Sequence, residues 1–270
     1  MFTKLAKETY VIWLREIIRY WRVKTRLVGS LAMPLLWLVL FGSGMKSTLS
    51  LGGGADFDFI QFLFPGVIGM TILFNSIFSV MSIVLDRQFG FLKEVLAAPV
   101  SRVSIAFGKI LGGSTISMIQ GTVMLLLAPL LGIKLSIGMI LALLPMMFFA
   151  AFALTSIGLV VAARMKSTEG FQMVMNFIMM PMFFLSGAVF PLTNLPGWMD
   201  VLAKINPASY AIDLIRQVAF RFMDTPAFVL DNLSLELFGQ KVSILTDVGI
   251  VVVFGIIMMS IGVVLFRKSD

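Results

Sequence analysis

The sequence predicts an all-α membrane protein with six transmembrane helices, an amphipathic amino-terminal interfacial helix, and short re-entrant or outer helices before the last span. Three observations predict it. Of 270 residues, 59% are hydrophobic and only 13% charged, whereas a soluble domain is about half apolar and about a quarter charged. The mean hydropathy is +1.01. Stretches at 27–45, 59–85, 103–131, 137–163, 171–190 and 248–266 are each long and apolar enough to cross a bilayer, which takes roughly 20 residues.

The chain has no Cys and no His. That excludes thiol catalysis, disulfides, the usual zinc sites and imidazole acid–base chemistry. No catalytic constellation and no metal site are expected, which leaves transport, scaffolding or carboxylate chemistry.

The first element is a Pro- and Gly-free helix over 3–26, with Ala6, Tyr10, Trp13, Leu14, Ile17 and Trp21 recurring at helical steps as one apolar face. Arg15, Arg19, Arg22 and Arg26 stack along another face. The helix is expected in the membrane interface, with aromatic rings at headgroup depth and guanidinium groups against phosphates. It is either a topology anchor or also a dock for a cytoplasmic partner. It reads as a mature amphipathic segment rather than the short basic region of a cleaved leader, so the mature chain is expected to begin near Met1.

An even number of spans puts both termini on one side. Fifteen of the 21 Lys and Arg residues fall on that side and six opposite. Cations resist translocation, so both termini and the loop 86–102 are expected in the cytoplasm, with the protein multi-pass in the plasma (cytoplasmic) membrane. With acidic residues included, the two sides carry +9 and −2, so the net charge of +7 reads as topology and not as a nucleic-acid footprint. The domain organisation is an interfacial helix, 1–26, and one membrane domain, 27–270. The latter holds the loop 86–102 and the outer segment 191–246.

Within the spans, polar residues align at helical steps. Asn75, Ser79 and Ser82 lead to Asp86; Lys109, Gly113, Ser117 and Gln120 form a second stripe; Glu169, Gln172 and Asn176 form a third. Such stripes avoid lipid and serve either as interhelical hydrogen-bond glue or as a substrate path. As a path, its candidates are Asn75, Ser79, Ser117, Gln120 and Asn176. The pairs Gly108/Gly112 and Gly158/Ala162 are close-packing spacings. The acidic residues are read at or beyond span ends, which disfavours ion-coupled transport. The phosphate cradle Gly-x4-Gly-Lys-Ser/Thr is absent: Gly108-Lys109 is followed by Ile110 and preceded at the required position by Val103. A pump built on this chain needs a separate ATPase.

After the fifth span the chain reads Pro191, Leu195-Pro196-Gly197-Trp198, Asn206-Pro207-Ala208-Ser209-Tyr210 and Arg216. Together with the preceding apolar helix end (Met179, Met182, Leu185, Ser186, Ala188), this resembles the signature of the ABC type-2 exporter permeases, the transmembrane subunits of ATP-driven exporters. Ala208 departs from the bulky apolar residue or Thr usual after that Pro. The resemblance extends to the interfacial helix, the six spans, the first cytoplasmic loop and the long outer segment.

The resemblance implies several roles. The run 89–99, ended by Pro99, is an amphipathic helix candidate too short to span. It looks like the coupling helix that seats in the ATPase, with Arg87, Phe91, Leu92, Lys93, Glu94 and Arg102 as coupling residues; a plain interfacial loop is the alternative. Short helices over 195–204 and 209–222 resemble the re-entrant pair, with Leu195, Trp198, Leu202 and Ile205 as an apolar face. Pro207, Tyr210 and Arg216 are expected at the outer gate, Tyr210 toward a dimer partner and Arg216 at the exposed interface or on loop carbonyls. The implied assembly is a homodimer or heterodimer of permease chains with cytoplasmic ABC ATPase subunits, in membrane lipid. No cofactor is expected on this chain; ATP and Mg belong to the ATPase. The cargo is expected to be a hydrophobic drug, lipid or lipid-linked glycan. The rivals are a polysaccharide or lipid-linked glycan exporter, a membrane-embedded enzyme of lipid metabolism, and a scaffold subunit.

Overall fold

The computed structural model describes residues 2–44, 59–90, 100–192, 195–223, 225, 235–237 and 240–268, with the backbone alone at 2, 24–28, 41–44 and 267–268. In chain order come α1 (Phe2–Arg22), α2 (Lys24–Gly44), α3 (Phe59–Ser79), α4 (Met81–Gln88), α5 (Arg102–Leu126), a 3-10 turn (Ala128–Leu131), α6 (Ile137–Ala162) and α7 (Thr168–Phe184). The outer segment then supplies α8 (Gly197–Ile205), α9 (Pro207–Phe222) and a short antiparallel ribbon, β1 (Glu236–Leu237) and β2 (Gln240–Lys241), before α10 (Ile244–Lys268).

Helix starts follow side-chain capping. The Ser101, Ser136 and Ser167 hydroxyls accept from the N–H groups of Val103, Met139 and Gly170. Asn206 accepts from Ala208 N–H, and Pro207 takes the first helical position of α9, where its missing N–H costs nothing.

Two helices are central. α3 is mostly apolar and largely buried, with Phe62, Leu63, Phe64, Ile68, Ile72, Leu73 and Ile77 fully enclosed, as expected of a core helix. α6 touches α3, α5, α9 and α10. α2 lies on α3 and α1 on α5. Apolar side chains of α2 (Met33, Leu36, Val39, Leu40) and α7 (Met173, Phe177, Met180, Phe184) stay exposed. Among the described residues, Phe59–Gln88, Ile137–Ala162 and Ile244–Phe266 are long and apolar enough to cross a membrane, in keeping with an all-α membrane protein. α2, α5 and α7 occupy the places of the other three expected spans.

Several expected boundaries move. The first helix stops at Arg22: the Val23 N–H turns back to the Tyr20 carbonyl at 3.2 Å, because the chain must pass from the α5 surface to the α3 surface there. Arg26 therefore falls within α2. The second span is divided at Val80 into α3 and α4. The third ends as α-helix at Leu126, since Pro129 lacks the N–H that would continue it. The fifth ends at Phe184, and Gly187, at φ +76°, turns the chain in a conformation that favours Gly. The residues from 91 to 99, including the coupling candidates Phe91, Leu92, Lys93 and Glu94, lie outside the described residues.

Candidate functional site

The first two polar stripes face one another, because α4 and α5 carry complementary groups. Lys109 on α5 is 4% exposed; its ammonium donates to Ser82 Oγ at 2.8 Å and Asp86 Oδ2 at 3.1 Å, and lies 2.7 Å from Glu16 Oε1 of α1. Asp86 also accepts Arg15 Nη2 at 3.1 Å and lies 3.6 Å from Arg19. Arg15 and Arg19 thus divide themselves between a carboxylate and the surface, each nearly half exposed. This arrangement differs from the expected row of guanidinium groups directed at phosphates. Arg22 is exposed.

Close approach of α1 to α5 depends on Gly108 and Gly112. A Cβ at either would lie 2.8 Å from the Cβ of Ile12 or of Glu16, so the spacing read as a packing signal seats α1. The expected apolar stripe of α1 divides. Tyr10 and Trp21 remain exposed, while Trp13 Nε1 donates to Thr115 Oγ1 at 3.0 Å. The protein-facing side carries Glu16 and Tyr20 instead.

Further along, Gln120 donates to Tyr20 Oη at 2.7 Å and Ser30 Oγ at 2.6 Å, tying α5 to α1 and α2. Ser117 is enclosed and donates to its own helix at Gly113 O. Asn75 and Ser79 line different cavities, and Phe78 lines both. One, of about 460 Å³, lies between α2, α3 and α7 and is walled by Met33, Trp37, Phe74, Asn75 and Phe183. The other, of about 320 Å³, is bounded by Glu16, Arg19, Ser79, Ser82 and Gln172. Asn176 is exposed on α7, away from both.

The segment 91–99 is flanked by residues tied into the helices. Arg87 Nη1 donates to the carbonyls of Ala162, Ala163 and Met165 at 3.2, 3.2 and 2.7 Å, completing the C-terminal end of α6, where a cation also suits the helix dipole. Gln88 Oε1 accepts from Thr168 N–H and Oγ1 at the start of α7. Beyond the segment, Glu8 of α1 accepts from Ser101 N–H at 3.1 Å and Ser104 Oγ at 2.8 Å. Those two hydrogen bonds, the backbone one foremost, hold the Glu8 carboxyl below its ordinary value of 4.5. Arg102 opens α5 beside them.

At the opposite end, the signature residues close the corner between α7, α8 and α9. Asn206 Nδ2 donates to Met182 O at 2.8 Å and Ser209 Oγ to Leu185 O at 2.9 Å, satisfying the last carbonyls of α7. Arg216 is buried, against the exposed position expected, but it meets a loop carbonyl as expected: its Nη2 donates to Gly187 O and its guanidinium sits 4.8 Å over the Phe62 ring. Tyr210 is enclosed within its own chain, its hydroxyl donating to Lys204 O at 2.6 Å, so it does not face outward to a partner. Pro207 only starts α9. Both corrections have one cause: α9 is covered by α3, α6 and α10, and little of it reaches the surface.

Sequence reasoning missed Asp213. It and Asp247 are buried at 4% and 0% exposure and bridged by Gln217 Nε2 at 2.7 and 2.8 Å, with the Arg216 charge acting on Asp213. The spacing Asp213–Arg216–Gln217 on one helix was the available signal. Among the described residues no three potential metal ligands from His, Cys, Asp and Glu gather.

The buried helical frame and the enclosed polar groups of α4 and α5 are those of an all-α membrane protein. The profile of the ABC-2 type transporters matches residues 7–220, and the chain belongs to that family. It is 28% identical to the transport permease ycf38 of Cyanophora paradoxa over 265 residues, 97% of this chain and 88% of that one. It is 28% identical to nodulation protein J of Rhizobium meliloti over 210 residues, 77% of this chain and 79% of that one. It is 27% identical to the inner membrane transport permease YadH of Escherichia coli over 221 residues, 80% and 84% of the two chains. The family comprises membrane subunits of ABC transporters, which work with an ATPase subunit.

Proposed function

We propose that the chain is the transmembrane subunit of an ATP-driven exporter, crossing the membrane six times with both termini in the cytoplasm and paired as a homodimer or heterodimer. A separate cytoplasmic ATPase, which holds ATP and Mg, seats the loop 86–102 through Phe91, Leu92, Lys93 and Glu94. The cargo is a hydrophobic drug, lipid or lipid-linked glycan taken from the cytoplasm or inner leaflet. The interfacial helix ends at Arg22, and the membrane domain begins with α2 at Lys24.

The observation that carries this reading is the bracing of the loop's flanks. Asp86 engages α1 and α5, Arg87 the end of α6, Gln88 the start of α7, and Ser101 is held by α1. A push on such a loop is delivered to most of the bundle at once, which is what a coupling element requires. The exposed apolar faces of α2 and α7 suit a second permease chain, and α8, with Trp198, Leu202 and Ile205 exposed, suits the outer leaflet. Pro207, Tyr210 and Arg216 then hold the outer gate in shape from within.

The aromatic and Met walls of the larger cavity suit an apolar cargo, and Ser30, Thr71 and Asn75 add a few hydrogen-bonding groups to its lining. Affinity purification in mild detergent tests the reading: an ATPase with Walker motifs should copurify at equal stoichiometry, and its consistent absence would refute it.

A further inference from the structure

The two cavities share one wall. Phe78 lines both, with Asn75 on the side of the larger chamber and Ser79 on the side of the smaller, roughly 6 Å apart along α3 at 1.5 Å per residue. Their chemistry differs. The larger is formed by Met33, Trp37, Phe74 and Phe183, with Trp37 and Phe74 each edge-on to the Phe183 ring at 5.8 Å. Its volume of about 460 Å³ falls in the range of small-molecule sites.

The smaller chamber adjoins an ionic cluster with an excess of one positive charge: three cations (Arg15, Arg19, Lys109) face two carboxylates (Glu16, Asp86). Glu16 also lines the chamber, but its carboxylate is engaged by Lys109 at 2.7 Å. Arg19 is the cation in the wall, 45% exposed and 3.6 Å from its nearest carboxylate oxygen, beyond a strong charge-assisted contact. Gln172 stands in the same wall.

We propose that the paired chambers bind one anionic amphiphile, its head group at Arg19 and Gln172 and its apolar chain between Met33, Trp37, Phe74 and Phe183. This narrows the cargo class and rests on the export reading above. The guanidinium supplies a planar donor fork suited to phosphate or carboxylate oxygens, and the aromatic chamber offers the chain apolar contact.

The test uses the full chain, with its copurifying ATPase and without nucleotide, in phosphatidylcholine nanodiscs, with empty discs subtracted. Radiolabelled dodecyl phosphate is the probe, and dodecanol and inorganic phosphate are competitors. Saturable binding is expected, with dodecanol and inorganic phosphate each at least about tenfold weaker. Arg19→Gln should weaken dodecyl phosphate about tenfold and leave dodecanol unchanged, Arg19→Lys should keep most of the affinity, and Met33→Trp, which fills the apolar chamber, should weaken both. Equal competition by dodecanol, an unaltered Arg19→Gln, or equal competition by inorganic phosphate would overturn the proposal. Binding is scored whether or not an ATPase copurifies, so loss of the ATPase tells against the export reading alone.

Discussion

The Lys109 ammonium lies 2.7 Å from Glu16 Oε1, and this pair joins α5 to α1 in a setting where both side chains are more than nine-tenths buried. Neither charge could be placed there alone, because an isolated buried ion carries a desolvation cost of several kcal/mol. With Ser82 and Asp86 completing the cluster, the amino-terminal helix becomes part of the bundle rather than an appendage lying beside it.

Removing one partner should therefore be severe. Lys109→Ala leaves the buried Glu16 carboxylate with only Arg15 at 3.7 Å, while Asp86 keeps Arg15 and Arg19, and should cost about 3 kcal/mol, the lower end for breaking a buried pair. Lys109→Met combined with Glu16→Gln should recover part of that loss. Thermal unfolding in detergent, followed by tryptophan fluorescence, measures both; equal midpoints for Lys109→Ala and the parent would show that the cluster does not hold α1.

Acidification should release the same helix at its other end. The Glu8 carboxyl is held below 4.5 by Ser101 and Ser104, so the folded form favours the ionised state. Its contribution is fully present above the ordinary value and is lost as pH falls below 4.5 through the lowered one. Spin labels on Thr3→Cys and Arg102→Cys should report a distance that broadens in that window. Glu8→Gln should show the broadened distance at neutral pH as well; a narrow distance in the variant would separate docking from this carboxylate.

At the outer end, Asp213 is the anion that acts on Arg216. Asp247→Asn keeps a hydrogen-bonding partner for Gln217 and should cost no more than about 1–2 kcal/mol. Asp213→Asn leaves the guanidinium buried without that counter-charge and should cost about 3–5 kcal/mol. Thermal midpoints of the two variants decide it, and equal small effects would contradict the charge-balance account.

Much of the helical frame is legible in the sequence, because apolar runs such as 137–163 and 248–266 admit few alternatives. The outer pair of helices is legible from Pro196 and Pro207, and the alignment of Ser82 with Asp86 and of Lys109 with Gln120 from helical steps, though not that the two stripes meet. What is not legible depends on partners distant along the chain. Arg216 looks like an exposed cation until Gly187 O, 29 residues away, receives it. Tyr210 looks free until α9 is covered on several sides. Glu16 belongs to the polar face of α1 by pattern, and only Lys109, far along the chain, draws it inward. The turn at Val23 has no Pro or Gly to mark it; it follows from which surfaces α1 and α2 find.

Arg87 separates binding of the ATPase from transmission. It meets the end of α6 through three carbonyls and lies outside the run that would touch the ATPase. Arg87→Gln should leave copurification of the ATPase intact while lowering its stimulation by cargo severalfold. Loss of copurification would instead place Arg87 in the docking surface.

The central claim, that a separate ATPase drives this permease through the loop 86–102, is tested most directly by site-specific cross-linking. The chain has no native cysteine, so Lys93→Cys and Ser136→Cys each give a single reactive thiol. With a short thiol-to-amine cross-linker in inverted membrane vesicles, Lys93→Cys should yield a covalent adduct with the ATPase that changes in amount when nucleotide is added, and Ser136→Cys should yield none. An adduct at position 136 and none at 93 would contradict the account.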